Sequence, residues 1–212
     1  MVDEKILAAV KEARNSDKRN FKQGFDLAIN LKNIDLKKPE NRIKAEMSLP
    51  NDTGKKTKIG VIVDSLASQA KDMEDVIVIK RDQLEKFSKD KKGAKKLAKQ
   101  CSYFVAEAPL MPLVGKNLGP ILAPRNLMPV PIPPSADLKS NVNSRRNVLK
   151  IQLKTSPAIH LSVGNEEMSD EKVAENIDAI INTVISKLPK SKEQVRNYVI
   201  KLTMGKPVKF KL

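Results

Sequence analysis

Two different strand patterns divide the chain and limit what it can fold into. Near both ends, apolar residues alternate with polar ones over residues 25–31, 43–49, 149–153, 159–163 and 198–202. Such alternation predicts strands with one buried face, which is typical of antiparallel sheets. In the middle, nearly every position is apolar over residues 59–63, 76–79 and 103–106. These runs predict strands that are buried on both faces, as in a parallel sheet.

The segments between the strands suggest how the two patterns are combined. Residues 65–73 and 83–100 are helical in composition, so the middle of the chain predicts parallel βαβ units with right-handed crossovers. Polar stretches at 51–57 and 141–147 bracket this part and are candidate hinges. The simplest architecture is an insertion. We therefore predict an α/β protein of two domains, one a discontinuous α/β terminal domain with an antiparallel sheet and the other an inserted Rossmann-like domain.

The expected domain limits follow from the two hinges. The terminal domain comprises residues 1–57 and 148–212, and the inserted parallel βαβ domain comprises residues 58–147. Within the terminal domain we predict a first helix over 3–13, a hairpin around the turn at 155–157 and a helix that follows Ser169. Eight of the 13 prolines lie in 109–134, and this segment predicts an ordered, proline-locked loop.

The charge balance indicates a polyanionic partner. Lys and Arg number 40 against 25 Asp and Glu, giving a net charge of +15. This favours nucleic acid first and acidic membrane surfaces second, with a merely solvated basic surface as the alternative. Residues 89–99 hold six Lys and one Asp, for which a solvated helix face is the simpler interpretation. Aromatic residues make up only 3%, so a base-stacking platform is poorly supplied.

The sequence contains few of the residues that catalytic, metal and cofactor sites require. The one cysteine, Cys101, and the one histidine, His160, exclude an internal disulfide and a Cys/His zinc cluster. Residues 51–57 resemble a phosphate-binding loop but lack its first glycine, and residues 115–119 lack the middle glycine of a dinucleotide fingerprint. We expect no cofactor and no membrane partner, because the start lacks a signal peptide's apolar core and no run is long enough to span a bilayer.

The end of the chain carries an interrupted strand. Alternating runs at 198–202 and 208–212 flank the segment Thr203-Met204-Gly205-Lys206-Pro207, here called the hook. Gly205 allows positive φ or a close approach of another molecule, and Pro207 cannot donate to a sheet. From residue 190 onward seven Lys and Arg face one acidic residue. The hook therefore suits structured RNA, which is read by shape and backbone contacts through small polar groups.

Three motifs in order make the chain resemble a known family. They are the hook, the segment from Lys154 to Gly164, and the loop from Gly119 to Pro129. Together they resemble large-subunit ribosomal protein L-one of the archaeal and eukaryotic cytosolic type, over essentially the whole chain. The resemblance implies two domains around a hinge, with the terminal domain binding large-subunit rRNA as part of the mobile stalk. It implies no enzymatic activity, a location on cytoplasmic ribosomes, and a monomer when free.

The resemblance also implies two further RNA partners. The stalk stands beside the exit site, from which deacylated tRNA leaves the ribosome, so tRNA is an expected partner. Several members bind a similar fold in their own messenger, so we also expect translational repression through this protein's own mRNA. Two alternatives stay open from the residues alone. One is a nucleotide-dependent enzyme that uses the interdomain cleft, and the other is a general double-stranded nucleic-acid-binding protein.

By position, the resemblance carries RNA contacts onto named residues. The family motifs match Phe21, Asn30, Asn197, Thr203, Met204 and Gly205. The neighbouring basic and polar positions complete the predicted RNA-binding set with Lys22, Lys154, Thr155, His160 and Lys206. Bacterial relatives typically have proline at the position of Lys206 and a basic residue at that of Asn30. For Phe21 and Met204 a place in the core is the alternative.

Overall fold

A computed structural model describes residues 3–17, 19–38, 41–54, 57–64, 70, 73, 75–134, 137–153, 156–189 and 191–212. The chain splits into two compact units, which we call the terminal unit (Met1–Lys55 and Asn147–Leu212) and the inserted unit (Lys56–Arg146). One unit is built on antiparallel pairing and the other on a parallel sheet. The predicted fold class is confirmed.

The terminal unit centres on a four-stranded antiparallel sheet. Its strands are β1 (Gly24–Leu31), β8 (Ala158–Asn165), β9 (Val195–Leu202) and β10 (Val208–Phe210), in the order β10-β9-β1-β8. Two helices, α1 (Glu4–Arg14) and α7 (Asp170–Lys187), share a core with the sheet. The Asp3 carboxylate begins α1 by accepting from the Lys5 amide at 3.0 Å.

Alternation along the strands separates the two faces of this sheet. Phe25, Leu27 and Ile29 are fully buried in the core that includes the apolar stripes of α1 and α7. The residues between them, such as Asp26 and Ala28, point to the other face and are only half-buried. The helices therefore cover one face of the sheet, and the opposite face, which we call the open face, carries the small and polar side chains.

A separate two-stranded antiparallel ribbon joins β2 (Lys44–Ser48) to β7 (Val148–Gln152). The predicted hairpin between residues 149–153 and 159–163 is therefore wrong, because β7 pairs with β2 whereas β8 pairs with β1. The split is visible in the backbone, since Leu153 donates to Ile43 and Pro157 accepts from Leu31, each at 2.8 Å. Alternation predicts a strand and its buried face but not the strand's partner.

The inserted unit contains a parallel sheet in the order β4-β3-β5-β6. Its strands are β3 (Lys58–Ile62), β4 (Val76–Ile79), β5 (Cys101–Glu107) and β6 (Val130–Ile132), and the helices α2 (Arg81–Lys89) and α3 (Lys91–Gln100) connect β4 to β5. The helix predicted over 65–73 lies mostly outside the described residues. Burial raises the pKa of the Cys101 thiol to about 11, with Lys58 acting in the opposite direction, so this cysteine stays protonated at neutral pH.

The proline-rich segment 109–134 is largely helical, so the loop prediction is wrong there. It forms α4 (Met111–Asn117) and α5 (Gly119–Leu122), two short 3-10 turns and then β6. Pro109, Pro112, Pro120 and Pro124 all fall at the first or second position of a helical segment, where no backbone N–H donor is needed. The hinge predicted at 141–147 is likewise mostly helical, because α6 spans Leu138–Arg146.

Candidate nucleic-acid interface

Cross-strand rows of small and polar residues form the open face of the terminal sheet. From one end of β1 to the other, the rows are Asn197, Asn30 and Ala158; Val199, Ala28 and His160; and Lys201, Asp26 and Ser162. His160 is exposed in the middle row. Because most of these side chains are short, another molecule can approach the strands closely over about 20 Å, the length of six residues of β1.

Asn30 and Asn197 form one end of this surface. The Asn30 side-chain amide donates to the Asn197 side-chain oxygen at 2.9 Å. The paired amides hold each other in place across the two strands. Both residues are half-exposed, and the Asn30 side-chain oxygen and the Asn197 side-chain amide group are not used in this bond, so the pair offers both an acceptor and donors.

The hook forms the other end of the surface and is tied back to the start of β1. The Thr203 amide donates to the Gly24 carbonyl at 3.0 Å, and the Gly24 amide donates to the Thr203 hydroxyl at 3.1 Å. The Gly205 amide closes the turn by donating to the Leu202 carbonyl at 2.9 Å. These contacts fix the hook's backbone and leave the residues at its tip facing solvent.

Two large apolar side chains are exposed at this end of the terminal unit. Met204 is 61% exposed and Phe21 is 51% exposed. The alternative that they belong to the core is therefore wrong for both. Exposed apolar side chains beside short polar ones suit contact with nucleobases or ribose.

Gly205 lies so close to neighbouring side chains of the terminal unit that a Cβ atom would not fit without a shift. A Cβ atom at this position would lie 2.8 Å from the Ser16 hydroxyl oxygen and 3.0 Å from the Leu202 Cβ. Its φ is outside the left-handed region, in contrast to that of Gly54. Of the two roles expected for this glycine, positive φ is thus wrong. The neighbour that needs the space is Ser16, just beyond the end of α1.

Gln23 is a central residue of the site that our sequence prediction missed. Its side chain is 1% exposed, and it donates to a Glu166 carboxylate oxygen at 3.0 Å and accepts from the Met204 amide at 3.0 Å. The Gln23 backbone amide also donates to the Glu166 carboxylate at 3.2 Å, and the Glu166 backbone amide donates to the Gln23 carbonyl oxygen at 3.0 Å. A signal was present, because Gln23 continues the inward-facing positions of β1 two residues before Phe25. A polar residue in that phase must have a buried partner.

Arg14 fixes the turn that holds Glu166. Its guanidinium donates to the Asp170 carboxylate at 2.6 Å and to the carbonyl oxygens of Glu166 and Met168 at 2.7 and 2.6 Å. It also lies 5.2 Å from the centre of the Phe25 ring. The end of α1, the start of β1, the turn before α7 and the hook are therefore joined by one set of hydrogen bonds. We call Arg14, Gln23 and Glu166 the hook network.

Basic residues surround the hook unevenly. Lys206, Lys209 and Lys211 are exposed and lie on or next to it, whereas Lys22 is engaged by Glu167 at 2.5 Å. The latter pair is exposed on both sides and contributes little to stability. On the helical side of the unit, α7 is rich in acid, with Asp170, Glu171, Glu175 and Asp178. A polyanion is thus attracted to the hook side more than to the α7 side.

The predicted site residues fall into three groups. Phe21, Lys22 and hook residues 203–206 lie at one end of β1, Asn30 and Asn197 lie at the other, and His160 lies between them. Lys154 and Thr155 lie outside the described residues. Across the described ranges no three His, Cys, Asp or Glu side chains are grouped as metal ligands, and none of the described helices has the length and apolar character of a membrane span.

Comparison with known proteins gives a consistent result along the whole chain. The model of the ribosomal protein L1p/L10e family matches residues 10–206. The chain is similar to the large ribosomal subunit protein uL1 of Methanothermococcus thermolithotrophicus, with 50% identity over 206 residues, covering 96% of each chain. It is also 45% identical over 210 residues to uL1 of Methanothermobacter thermautotrophicus (98% and 99% covered) and 46% identical over 210 residues to uL1 of Pyrococcus abyssi (98% and 96% covered).

Proposed function

The chain belongs to the ribosomal protein L1p/L10e family, and from this premise we propose that the open face and the hook bind large-subunit rRNA. Its relatives are named as large-subunit ribosomal proteins, a structural family without enzymatic activity. The alternative of a nucleotide-dependent enzyme is therefore set aside. The chain is a structural ribosomal protein of the large subunit.

One observation carries the RNA-binding proposal. The exposed side chains of Phe21 and Met204 stand at the end of a surface made of short side chains, and the backbone between them is fixed by the Thr203 and Gln23 contacts. RNA is read through its shape, its ribose hydroxyls and its splayed bases, all of which require close backbone approach and a few apolar contacts. Lys206 and Lys209 add attraction for phosphates rather than recognition.

The Asn30 and Asn197 pair extends the proposed contact to the far end of the strands. Its free acceptor and donors are suited to ribose hydroxyls, which can both donate and accept. His160 in the row between can contact the same ligand from the edge strand β8. The contacted RNA then runs along the strands rather than touching the hook alone.

A pair of matched variants tests this assignment. We expect Phe21→Ala to weaken binding of large-subunit rRNA by about fivefold to 150-fold, because stacking of an aromatic ring on a base contributes about 1–3 kcal/mol. We expect Met204→Ala to weaken this binding in the same direction. Met128→Ala is the control, since Met128 is also an exposed methionine, 40% accessible, but belongs to the inserted unit. Equal rRNA affinities for the Met204 and Met128 variants would contradict the assignment.

We further propose the finer roles that the family resemblance implies. The rRNA complex forms the mobile stalk beside the exit site and assists the release of deacylated tRNA, and the same surface binds this protein's own messenger as a translational repressor. A single surface supports both RNA partners if the messenger presents a fold like that of the rRNA site.

Competition and ribosome reconstitution separate these roles. The messenger leader should compete with rRNA for the chain, and Met204→Ala should weaken both complexes by the same factor. Simultaneous binding of both RNAs would contradict repression through this surface. Ribosomes that carry the chain should release deacylated tRNA faster than ribosomes lacking it, and equal release rates would contradict the tRNA role.

A further inference from the structure

Helix α3 of the inserted unit presents a face made only of lysines. Its buried stripe consists of Ala94, Leu97 and Ala98. Apart from Gln100 at the end of the helix, the exposed residues on the remaining surface are all lysines, and they form what we call the lysine face: Lys91, Lys92, Lys95, Lys96 and Lys99. The five ammonium groups thus stand within ten residues, on the side of the helix that the core does not use.

These charges are not neutralised within the described part of the chain. α3 contains no Asp or Glu, and the carboxylate at its start, Asp90, is occupied by accepting from the amides of Lys92 and Gly93. None of the five lysines forms an ion pair with a described carboxylate. Lys91 and Lys95, like Lys92 and Lys96, are four residues apart, which is the spacing at which like charges repel on a helix.

A helix face that only contacts water usually mixes both signs of charge. The neighbouring helix α2 does so with Asp82 and Glu85 beside Arg81 and Lys86, and α7 does so too. The inserted unit as a whole has 17 Lys and Arg against nine Asp and Glu. The lysine face supplies five of these positive charges with none opposing them, so a purely solvated face explains it poorly.

We propose that the lysine face is a second RNA-binding surface, which holds backbone phosphates without reading sequence. Lys91 and Lys99 are about 12 Å apart along the helix axis, enough to reach several successive phosphates of one strand. Lysine ammonium groups on flexible stems bind phosphates as point charges, which positions a ligand but does not select bases. The inference rests on the proposed function only in taking RNA as the polyanion, and it concerns a different unit of the chain.

The test measures binding of the full chain to a short RNA duplex of arbitrary sequence over a range of salt concentrations. The variant carries Lys92→Gln, Lys95→Gln, Lys96→Gln and Lys99→Gln. The control loses the same four charges from exposed positions on α1 and α7, through Lys5→Gln, Lys11→Gln, Lys172→Gln and Lys187→Gln. Because each neutralised phosphate contributes about 0.7–0.9 to the slope of log K against log salt, we expect the lysine-face variant to lose about 3 from this slope and the control less than about 1.

A charge-preserving variant keeps the test independent of folding. Lysine to arginine at the same four positions should retain the wild-type slope, whereas loss of the slope in that variant would overturn the proposal. So would a wild-type slope in the glutamine variant, or equal losses in the glutamine variant and the control. The hook variant Met204→Ala should leave the duplex slope unchanged, so failure of specific rRNA recognition is distinguishable from failure of the lysine face.

Discussion

Replacing Gln23 by alanine tests whether a buried amide organises the hook. The change removes one hydrogen bond to the Glu166 carboxylate and one from the Met204 amide, while the backbone bonds of residue 23 remain. A bond to a charged acceptor contributes about 1.5–3 kcal/mol and a neutral one about 0.5–1.5 kcal/mol. Because Glu166 is half-buried and can recruit water, we expect a loss of about 2–3 kcal/mol in the free energy of unfolding.

A double-mutant cycle isolates the interaction. Gln23→Ala, Glu166→Ala and the double variant are compared by denaturant unfolding, and we expect a coupling energy of about 1–2 kcal/mol between the two side chains. Gln23→Met keeps most of the volume without the bonds, so it should be destabilised as much as Gln23→Ala. Gln100→Ala, at an exposed position of α3, is the control and should be neutral.

RNA binding gives the second readout of the Gln23 substitution. Gln23 is buried, yet its loss frees the Met204 amide, so we expect rRNA affinity to fall by about tenfold, or about 1.4 kcal/mol. Glu166→Ala should weaken binding in the same direction. The reasoning is refuted if Gln23→Met is as stable as the wild type, or if rRNA affinity is unchanged in all three variants.

Three further predictions follow from the same contacts. Gly205→Ala should destabilise the terminal unit by about 1–3 kcal/mol, because the added methyl group would clash with the Ser16 side chain. Ser16→Gly in the same chain should restore part of this loss, and denaturant unfolding of the single and double variants measures both effects. Arg14→Lys should lower the free energy of unfolding by about 2–3 kcal/mol, because the single nitrogen of a lysine cannot reach three acceptors that Arg14 bonds through three separate nitrogens. An unchanged free energy of unfolding would contradict the network. Since burial raises the Cys101 pKa to about 11, alkylation of the folded protein should be far slower than that of an ordinary thiol with pKa 9.0, and rapid alkylation at neutral pH would argue against burial. The free energy of unfolding should fall as pH rises from about 9 to 11, because the thiol loses its proton more readily in the unfolded chain.

Local patterning was enough to predict the fold class and most of the strands. The inward positions of β1 and β9 are buried as alternation requires, and the continuous apolar runs became the parallel sheet. Alternation could not identify partners, so β7 was assigned to β8 instead of β2. The prolines of 109–134 also left the local structure undecided between a loop and short helices. Proline excludes a helix interior but not a helix start, and only the tertiary packing of the leucines decides between a loop and short helices.

The sequence was enough to locate the exposed residues of the candidate site, but not the buried residues whose hydrogen bonds hold them in place. The hook could be located because it interrupts an alternating pattern, whereas Asn30 was predicted from the family resemblance. The hook network could not be located, because Glu166 is more than 140 residues away from Arg14 and Gln23 in the sequence and meets them only in the folded chain. The space requirement at Gly205 is similar, since the neighbour that demands a glycine is Ser16, from the other end of the sequence.

Crosslinking the full chain to large-subunit rRNA, followed by mapping of the crosslinked peptides, tests the central claim most directly. We expect crosslinks in residues 19–31 and 195–209, which carry Phe21, Asn30, Asn197 and the hook, with additional crosslinks in α3 from the lysine face. Met204→Ala should reduce the first two sets and spare the third. Crosslinks confined to the outer surfaces of α1 and α7 would contradict the account, because those helices cover the face of the sheet opposite the proposed RNA site.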